Sequence, residues 1–102
     1  MQIFDANNRL TPESIVEIKK HADMVQCECP TQLLKILDEI RGFQKYTFSC
    51  IDKFPADVKT HTWLLESANN LDHMLSNTIA QLARFEGFID ENNNFMPRPG
   101  KA

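Results

Sequence analysis

The stretch that decides the fold is residues 27–54, which read CECPTQLLKILDEIRGFQKYTFSCIDKF. It opens with a Cys-x-Cys-Pro turn and ends before Pro55, because a residue that precedes proline is disfavoured in the α-helical region. Between these limits, side chains of low polarity recur every three or four positions, which is the spacing of one helical face. They are Leu33, Ile36, Leu37, Ile40, Phe43, Thr47, Cys50, Ile51 and Phe54. The stretch predicts a long amphipathic helix over about residues 30–53, with Cys29 as its N-cap.

The other side of this helix is expected to be solvated. It carries charged residues, and Arg41 is one of them. Gly42 stands in the middle of the helix, where glycine costs about 1 kcal/mol relative to alanine. A glycine here predicts either a bend or the close approach of another backbone.

Two further helices flank the central one. Thr11 and Pro12 suit the N-cap and first position of a helix over residues 12–25. A third helix is expected over residues 55–86, ended by Gly87 in a left-handed cap. Its expected apolar stripe is Val58, His61, Leu64, Leu65, Ala68, Leu71, Leu75, Thr78, Ile79, Leu82 and Phe85. For the first helix, the expected face is Ile15, Val16, Ile18, Ala22 and Val25.

These elements predict an all-α fold with one helical domain over residues 11–88. The short link at Pro55 makes the second and third helices an antiparallel hairpin. Residues 1–10 form an N-terminal arm and residues 89–102 an irregular tail. The two ends resemble each other, since 3–10 read IFDANNRL and 88–95 read FIDENNNF. We expect two similar turns, which would lie side by side if the termini meet.

Composition limits the function classes. The chain has 102 residues, 11 basic and 14 acidic, and a formal net charge of −3 with no basic stripe. Direct binding of nucleic acid by an electrostatic footprint is therefore disfavoured. No apolar run approaches the roughly 20 residues of a membrane span, and no signal peptide is recognisable. An odd count of three cysteines is typical of free thiols, so we expect a cytoplasmic protein.

The long apolar stripes predict self-association. The first helix is too short to cover the groove between the other two, and Tyr46, Phe48, Trp63 and Met74 widen the apolar surface. Large exposed apolar patches usually mark interfaces. We expect a homodimer whose paired hairpins complete a four-helix bundle. The alternative is a three-helix monomer with the tails covering the remainder.

The Cys-x-Cys turn is the first candidate for chemistry. A thiol at a helix N-terminus is expected to have a lowered pKa, and Cys27 is close enough to join Cys29 on a metal or an electrophile. His21 lies upstream, and with the two cysteines it would suit a soft ion such as Zn or Cu. The alternative is that both cysteines are small turn residues packed under the helix junction. For Cys50 and His61, the alternative to a functional role is that they pack in the core between the two long helices.

The span from 27 to 87 resembles the C-terminal helical segment of some MerR-type transcriptional regulators. The matching features are Cys27-x-Cys29-Pro30 with Leu33, Phe43-x-x-Tyr46 with Cys50, Ala56-Asp57 with His61 and Leu64, and Glu86-Gly87. In that family the segment follows a winged helix-turn-helix, and the resemblance implies dimerisation or effector response. We expect no winged helix-turn-helix in these 102 residues, and in this the sequence departs from the family pattern. The resemblance implies that Cys27, Cys29, Tyr46, Cys50 and His61 form one set, in a small bacterial protein.

No nucleophile, base and orienting group can be read from the sequence, so we expect a non-enzymatic protein without a required cofactor. The leading hypothesis is a self-associating regulatory or adaptor module, whose other protein partner is unknown. The second hypothesis is a thiol- or metal-responsive sensor centred on Cys27 and Cys29.

Overall fold

The computed structural model describes residues 1–97 and confirms the all-α fold. Helix α1 spans Pro12–Ala22, α2 spans Cys29–Lys53 and α3 spans Val58–Phe85, with a 3-10 turn at Pro55–Asp57 between α2 and α3. In the described part of the chain, β structure is limited to two isolated bridges, Phe4 with Leu10 and Ile89 with Phe95. The molecule is elongated, 58 × 25 × 18 Å.

The hairpin of α2 and α3 is the frame of the molecule, and the contacts between these two helices dominate its packing. The two prolines limit α2 as expected, although Cys29 is the first helical residue and Glu28 is the residue at the cap. The expected start of the third helix at Pro55 differs in detail, because the link first makes a single 3-10 turn.

Helix α1 is shorter than the expected 12–25. Thr11 Oγ1 accepts a hydrogen bond from the Ser14 N–H at 3.1 Å, which caps its first turn. After Ala22 the backbone tightens into turns, with the Met24 N–H donating to the His21 carbonyl at 3.0 Å. The expectation that Val16 lies on the buried face was wrong, since 55% of it is exposed.

The end of α3 is a Schellman motif, as expected from Gly87. The φ angle of Gly87 is +78°, in the left-handed region. The Phe88 N–H donates to the Ala83 carbonyl at 2.8 Å and the Gly87 N–H to the Arg84 carbonyl at 3.1 Å, which satisfies two terminal carbonyls of the helix. The motif turns the chain back, so that the Phe88 side chain is buried in the core.

The two termini form matching turns. Asp5 Oδ1 accepts from the Asn7 and Arg9 N–H groups, and Asp90 Oδ1 accepts from the Asn92 and Asn94 N–H groups in the same way. Asn8 and Asn93 both have positive φ, which asparagine tolerates better than most residues. The resemblance of the two ends is therefore a structural repeat. Residues 1–4, which precede the first turn, and residues 92–94 of the second turn line one surface pocket.

Residues 89–97 are more ordered than the irregular segment expected over 89–102. Ile89 is buried and Phe95 packs against the core. The Met96 N–H donates to the Phe88 carbonyl at 2.8 Å. Residues 98–102 of the expected tail lie outside the described residues.

The core occupies one side of one half of the hairpin. Helix α1 and the two terminal turns cover the half that contains the start of α2 and the end of α3. Its buried apolar residues are Ile3, Leu10, Ile18, Ala22, Leu34, Leu37, Ile79, Ala80, Ala83, Phe88 and Ile89. The half nearest the 3-10 turn has only Thr47, Cys50 and Ala68 buried between its two helices.

Gly42 has neither of the expected roles. Helix α2 runs unbroken through it. A Cβ placed on Gly42 would have nothing within 4 Å, so no neighbouring backbone requires glycine there.

Candidate functional site: an apolar face and a thiol pair

One side of the hairpin is apolar and open. Its exposed members are Ile36 and Phe43 on α2 and Leu71, Met74 and Phe85 on α3. Four half-buried residues lie between them, namely Leu33, Ile40, Leu75 and Leu82. We call these nine residues the apolar face.

The apolar face lies opposite α1. A pocket lined by Ile15, Thr31, Leu34 and Asp38 marks where α1 packs on α2. Ile36 lies two positions from both Leu34 and Asp38, which is more than half a turn of the helix, so it faces the other side of α2. The apolar face is therefore not covered by any helix or turn within residues 1–97.

The spacing on the apolar face is the heptad of helical bundles. Ile36 and Phe43, seven apart on α2, are both exposed. On α3, Leu71, Thr78 and Phe85 are exposed at the same spacing, with the polar Thr78 between the two apolar residues. The half-buried pairs Leu33–Ile40 and Leu75–Leu82 follow the same period. A seven-residue period keeps a seam facing a partner helix along its whole length.

The apolar stripes expected on the two long helices are only partly covered within one chain. Ile36, Phe43 and Phe54 on α2 and Val58, Leu71, Thr78 and Phe85 on α3 are exposed. The buried side of α3 includes the polar residues Asp72 and Ser76. The expected polar side of α2 was wrong at Arg41, which is half-buried.

The physical reason is a buried polar network that faces the N-terminal arm. Arg41 Nε donates to Asp72 Oδ2 at 3.0 Å, and Gln44 Nε2 donates to the same oxygen at 3.0 Å. Ser76 Oγ donates to Asp72 Oδ1 at 2.9 Å. The Leu10 N–H donates to Ser76 Oγ at 3.0 Å, while Arg41 Nη2 donates to the Leu10 carbonyl at 2.7 Å.

The carboxylate of Asp72 is fully buried, yet its pKa is lowered. Burial alone raises the pKa of a carboxyl group, but the hydrogen bonds from Arg41, Gln44 and Ser76, with the charge of Arg41, outweigh it. The network therefore keeps Asp72 ionised and fixes the side of the hairpin on which the arm packs.

An apolar groove of about 750 Å³ ends the apolar face at the start of α2. Cys29 and Leu33 line it from α2, and Leu82 and Phe85 line it from α3. The groove places the thiol of Cys29 beside the apolar face.

Cys27 and Cys29 are both exposed, so the expectation that they could be packed under the helix junction was wrong. The pKa of the Cys29 thiol is raised, first by a hydrogen bond with Cys27 and then by the charge on that neighbour, with a contribution from Glu86. The expected lowering by the helix N-terminus does not prevail, because the neighbouring thiol and the carboxylate both disfavour a thiolate at Cys29.

The five residues of the expected set fall into two groups. Cys29 and Cys50 stand at opposite ends of α2 and are separated by about 32 Å, at 1.5 Å per residue. Cys50 is buried and contacts Tyr46, whose pKa it raises through a hydrogen bond. His61 lies at the 3-10 turn, where its ring centroid is 6.1 Å from that of Phe54. The set does not form one site.

His21 belongs to the core under the terminal turns. Its ring centroid lies 5.2 Å from Phe88 and 5.6 Å from Phe95. Within residues 1–97, no three His, Cys, Asp or Glu side chains are grouped so that they could hold a metal ion. The expected Zn or Cu site of Cys27, Cys29 and His21 has no preformed geometry in this part of the chain.

The buried polar network was the feature that sequence reasoning missed. Arg41 and Asp72 lie almost equally far from Pro55–Asp57, so an antiparallel hairpin brings them to the same height. The nearly equal distance of Arg41 and Asp72 from the turn is the sequence signal that could have predicted their ion pair.

Comparisons with family models, with curated proteins and with solved structures find no match. The resemblance to the C-terminal segment of MerR-type regulators stays a prediction. None of the helices in the described part of the chain is long and apolar enough to cross a membrane.

Proposed function

We propose that this chain is a non-enzymatic, self-associating helical module, and that a second copy covers the apolar face to complete a four-helix bundle. The observation that carries the proposal is the heptad spacing of exposed apolar residues on both helices of one hairpin. Such a module would act as a regulatory or adaptor domain. The three free thiols suit a reducing compartment such as the cytoplasm.

The whole side of the hairpin that carries the apolar face has room for an interface. Helix α2 has 25 residues. At 1.5 Å per residue it is about 37 Å long, and two helices side by side are about 20 Å wide, which gives roughly 750 Å² for the whole side. Stable interfaces bury about 800 Å² on each partner. The apolar face covers about half of this side, from Leu33 to Phe43 on α2 and from Leu71 to Phe85 on α3.

A second copy is the occupant that the pattern favours. Both helices carry the same seven-residue period in antiparallel directions, so a copy related by two-fold rotation presents a matching face. Along this side of α2, from Gln32 to Tyr46, the charged residue is Glu39. Flanking charges normally choose between partner helices. Because this face has so few charged residues, it carries little charge that would repel a second copy of the same chain.

Sedimentation of the full chain tests the proposal. We expect a mass of two chains, and we expect Ile36→Glu or Leu71→Glu to give folded monomers. Each of these side chains is about half exposed in one chain, so a charge there is tolerated by the monomer. In the dimer, each of the two buried carboxylates without a partner costs about 3 kcal/mol, which together weakens association by roughly 10⁴-fold.

Val16→Glu is the matched control. Val16 is 55% exposed but lies on α1, away from the apolar face. It should leave the dimer intact. A wild-type chain that stays monomeric at high micromolar concentration would contradict the proposal, as would equal dissociation by Val16→Glu and Ile36→Glu.

A further inference from the structure

The backbone at Glu28 holds two exposed cysteines close together. Its φ is −89° and its ψ is 4°, a turn conformation. Each trans peptide spans about 3.8 Å, and this compact dihedral pair brings the Cα atoms of Cys27 and Cys29 to about 5.5 Å. Disulfides usually join Cα atoms about 4.4–6.8 Å apart, with the commonest separation at about 5.5–6 Å. An extended Glu28 would place them at about 7 Å, beyond that range.

The thiols themselves are neighbours and are open to solvent. Both cysteines are exposed, and the hydrogen bond with Cys27 is the main influence on the Cys29 thiol. Cys50 is buried, and about 32 Å of helix separates it from Cys29. An oxidant in solution therefore reaches the pair and not the third thiol.

We propose that Cys27 and Cys29 form a reversible dithiol–disulfide site that closes within one chain. The site does not depend on self-association, because both cysteines belong to the same turn. In its reaction with a small-molecule disulfide such as oxidised glutathione, one protein thiolate attacks a glutathione sulfur and releases one reduced glutathione. The second thiolate then attacks the protein sulfur of the mixed disulfide and releases the other glutathione. Two protein thiols are oxidised, one disulfide is reduced, and the two thiol protons leave with the two glutathione molecules.

Two-electron chemistry fits this pair better than metal chelation. A structural zinc site in proteins normally has four protein ligands, and a catalytic one has three. Within residues 1–97, no third His, Cys, Asp or Glu completes a group with these two cysteines. Disulfide closure needs the two sulfurs, the short Cα separation that the turn at Glu28 supplies, and side-chain rotamers that bring the sulfurs together.

Closure should leave the fold unchanged. Cys27 precedes α2, and Cys29 is its first residue. The new ring encloses a single intervening residue, and the Cα atoms already have the required separation. Helical circular dichroism is therefore expected to be the same in both redox states.

The test equilibrates the full chain in glutathione buffers of increasing oxidised fraction, followed by acid quenching, denaturation and alkylation. Intact mass should fall by two hydrogens before alkylation, and the number of alkylated cysteines should drop from three to one. Digestion should give a peptide in which Cys27 is linked to Cys29. Addition of excess reduced dithiol should restore three alkylated cysteines.

Two variants complete the design. Cys50→Ser should close the same disulfide, which shows that the buried thiol takes no part. Cys29→Ser should give only a mixed disulfide with glutathione at Cys27. Three alkylated cysteines in every buffer would overturn the proposal. So would a disulfide that joins two chains, or wild-type protein that stops at mixed glutathione adducts.

Discussion

Asp72 is the residue that joins the N-terminal arm to both helices of the hairpin. Its carboxylate accepts from Arg41, Gln44 and Ser76. Arg41 and Ser76 also bind the carbonyl and the N–H of Leu10. One buried charge therefore satisfies two helices and the arm at once, and its loss would leave several partners without a hydrogen bond.

The lowered pKa of Asp72 predicts a loss of stability in acid. A carboxyl group whose folded pKa lies below its ordinary value of 3.8 stabilises the fold above that pH. The contribution is lost as the pH falls through the folded pKa. We expect Asp72→Asn to lower the free energy of unfolding by about 3 kcal/mol at pH 7, because Arg41 and its partners lose a charge-assisted acceptor. The difference from wild type should shrink at about pH 3.

Denaturant unfolding at the two pH values measures this effect. Asp38→Asn is the control, since Asp38 is an exposed carboxylate on α2. It should change the free energy of unfolding by less than about 0.5 kcal/mol. A loss from Asp72→Asn that is equally large at both pH values would contradict an ionised Asp72.

At this scale the sequence is a poor guide to polar residues. A charged residue such as Arg41 is assigned to solvent because charged side chains are rarely buried without a partner. Its partner, Asp72, is 31 positions away, and only the register of the hairpin brings the two together. The cysteines include a case that is predictable, because the proximity of Cys27 and Cys29 is local and could be read from the sequence. Whether Cys50 lies near them could not be read from the sequence.

The helix ends were predictable because their causes are local. Proline restricts the residue before it, and Gly87 adopts the left-handed cap with its neighbours alone. The faces of the helices were less predictable, because α2 and α3 carry apolar residues on more than half of their circumference. Which of these residues become buried depends on where α1 and the terminal turns pack, and that is decided by tertiary contacts such as those of Asp72.

The two helix-associated glycines should respond oppositely to alanine. Gly42 is exposed inside α2 with nothing near its missing side chain, so Gly42→Ala should raise the free energy of unfolding by about 0.5–1 kcal/mol. Gly87 has φ of +78°, so Gly87→Ala should lower it by about 1 kcal/mol. Thermal or denaturant unfolding measures both. Destabilisation by Gly42→Ala would show that the position has a contact that one chain does not reveal.

At the scale of the whole molecule, only one of the two sides of the hairpin is covered by the other elements of residues 1–97. Helix α1 and the terminal turns bury one side of the hairpin, and the opposite side keeps its heptad of apolar residues open. The half nearest the 3-10 turn is a bare pair of helices with Phe48, Phe54 and Trp63 exposed. Large aromatic residues are enriched where proteins bind one another. This distribution is what we expect if, as proposed, the chain is one half of a bundle.

The most direct test of the apolar face is an isotope-filtered nuclear Overhauser experiment on a mixture of labelled and unlabelled chains. It detects contacts between chains alone. We predict contacts from the methyl groups of Ile36, Leu71 and Met74 and none from Val16 on α1. A mixture that shows no contacts between chains, or shows them only from α1, would contradict the account that a second copy covers this face.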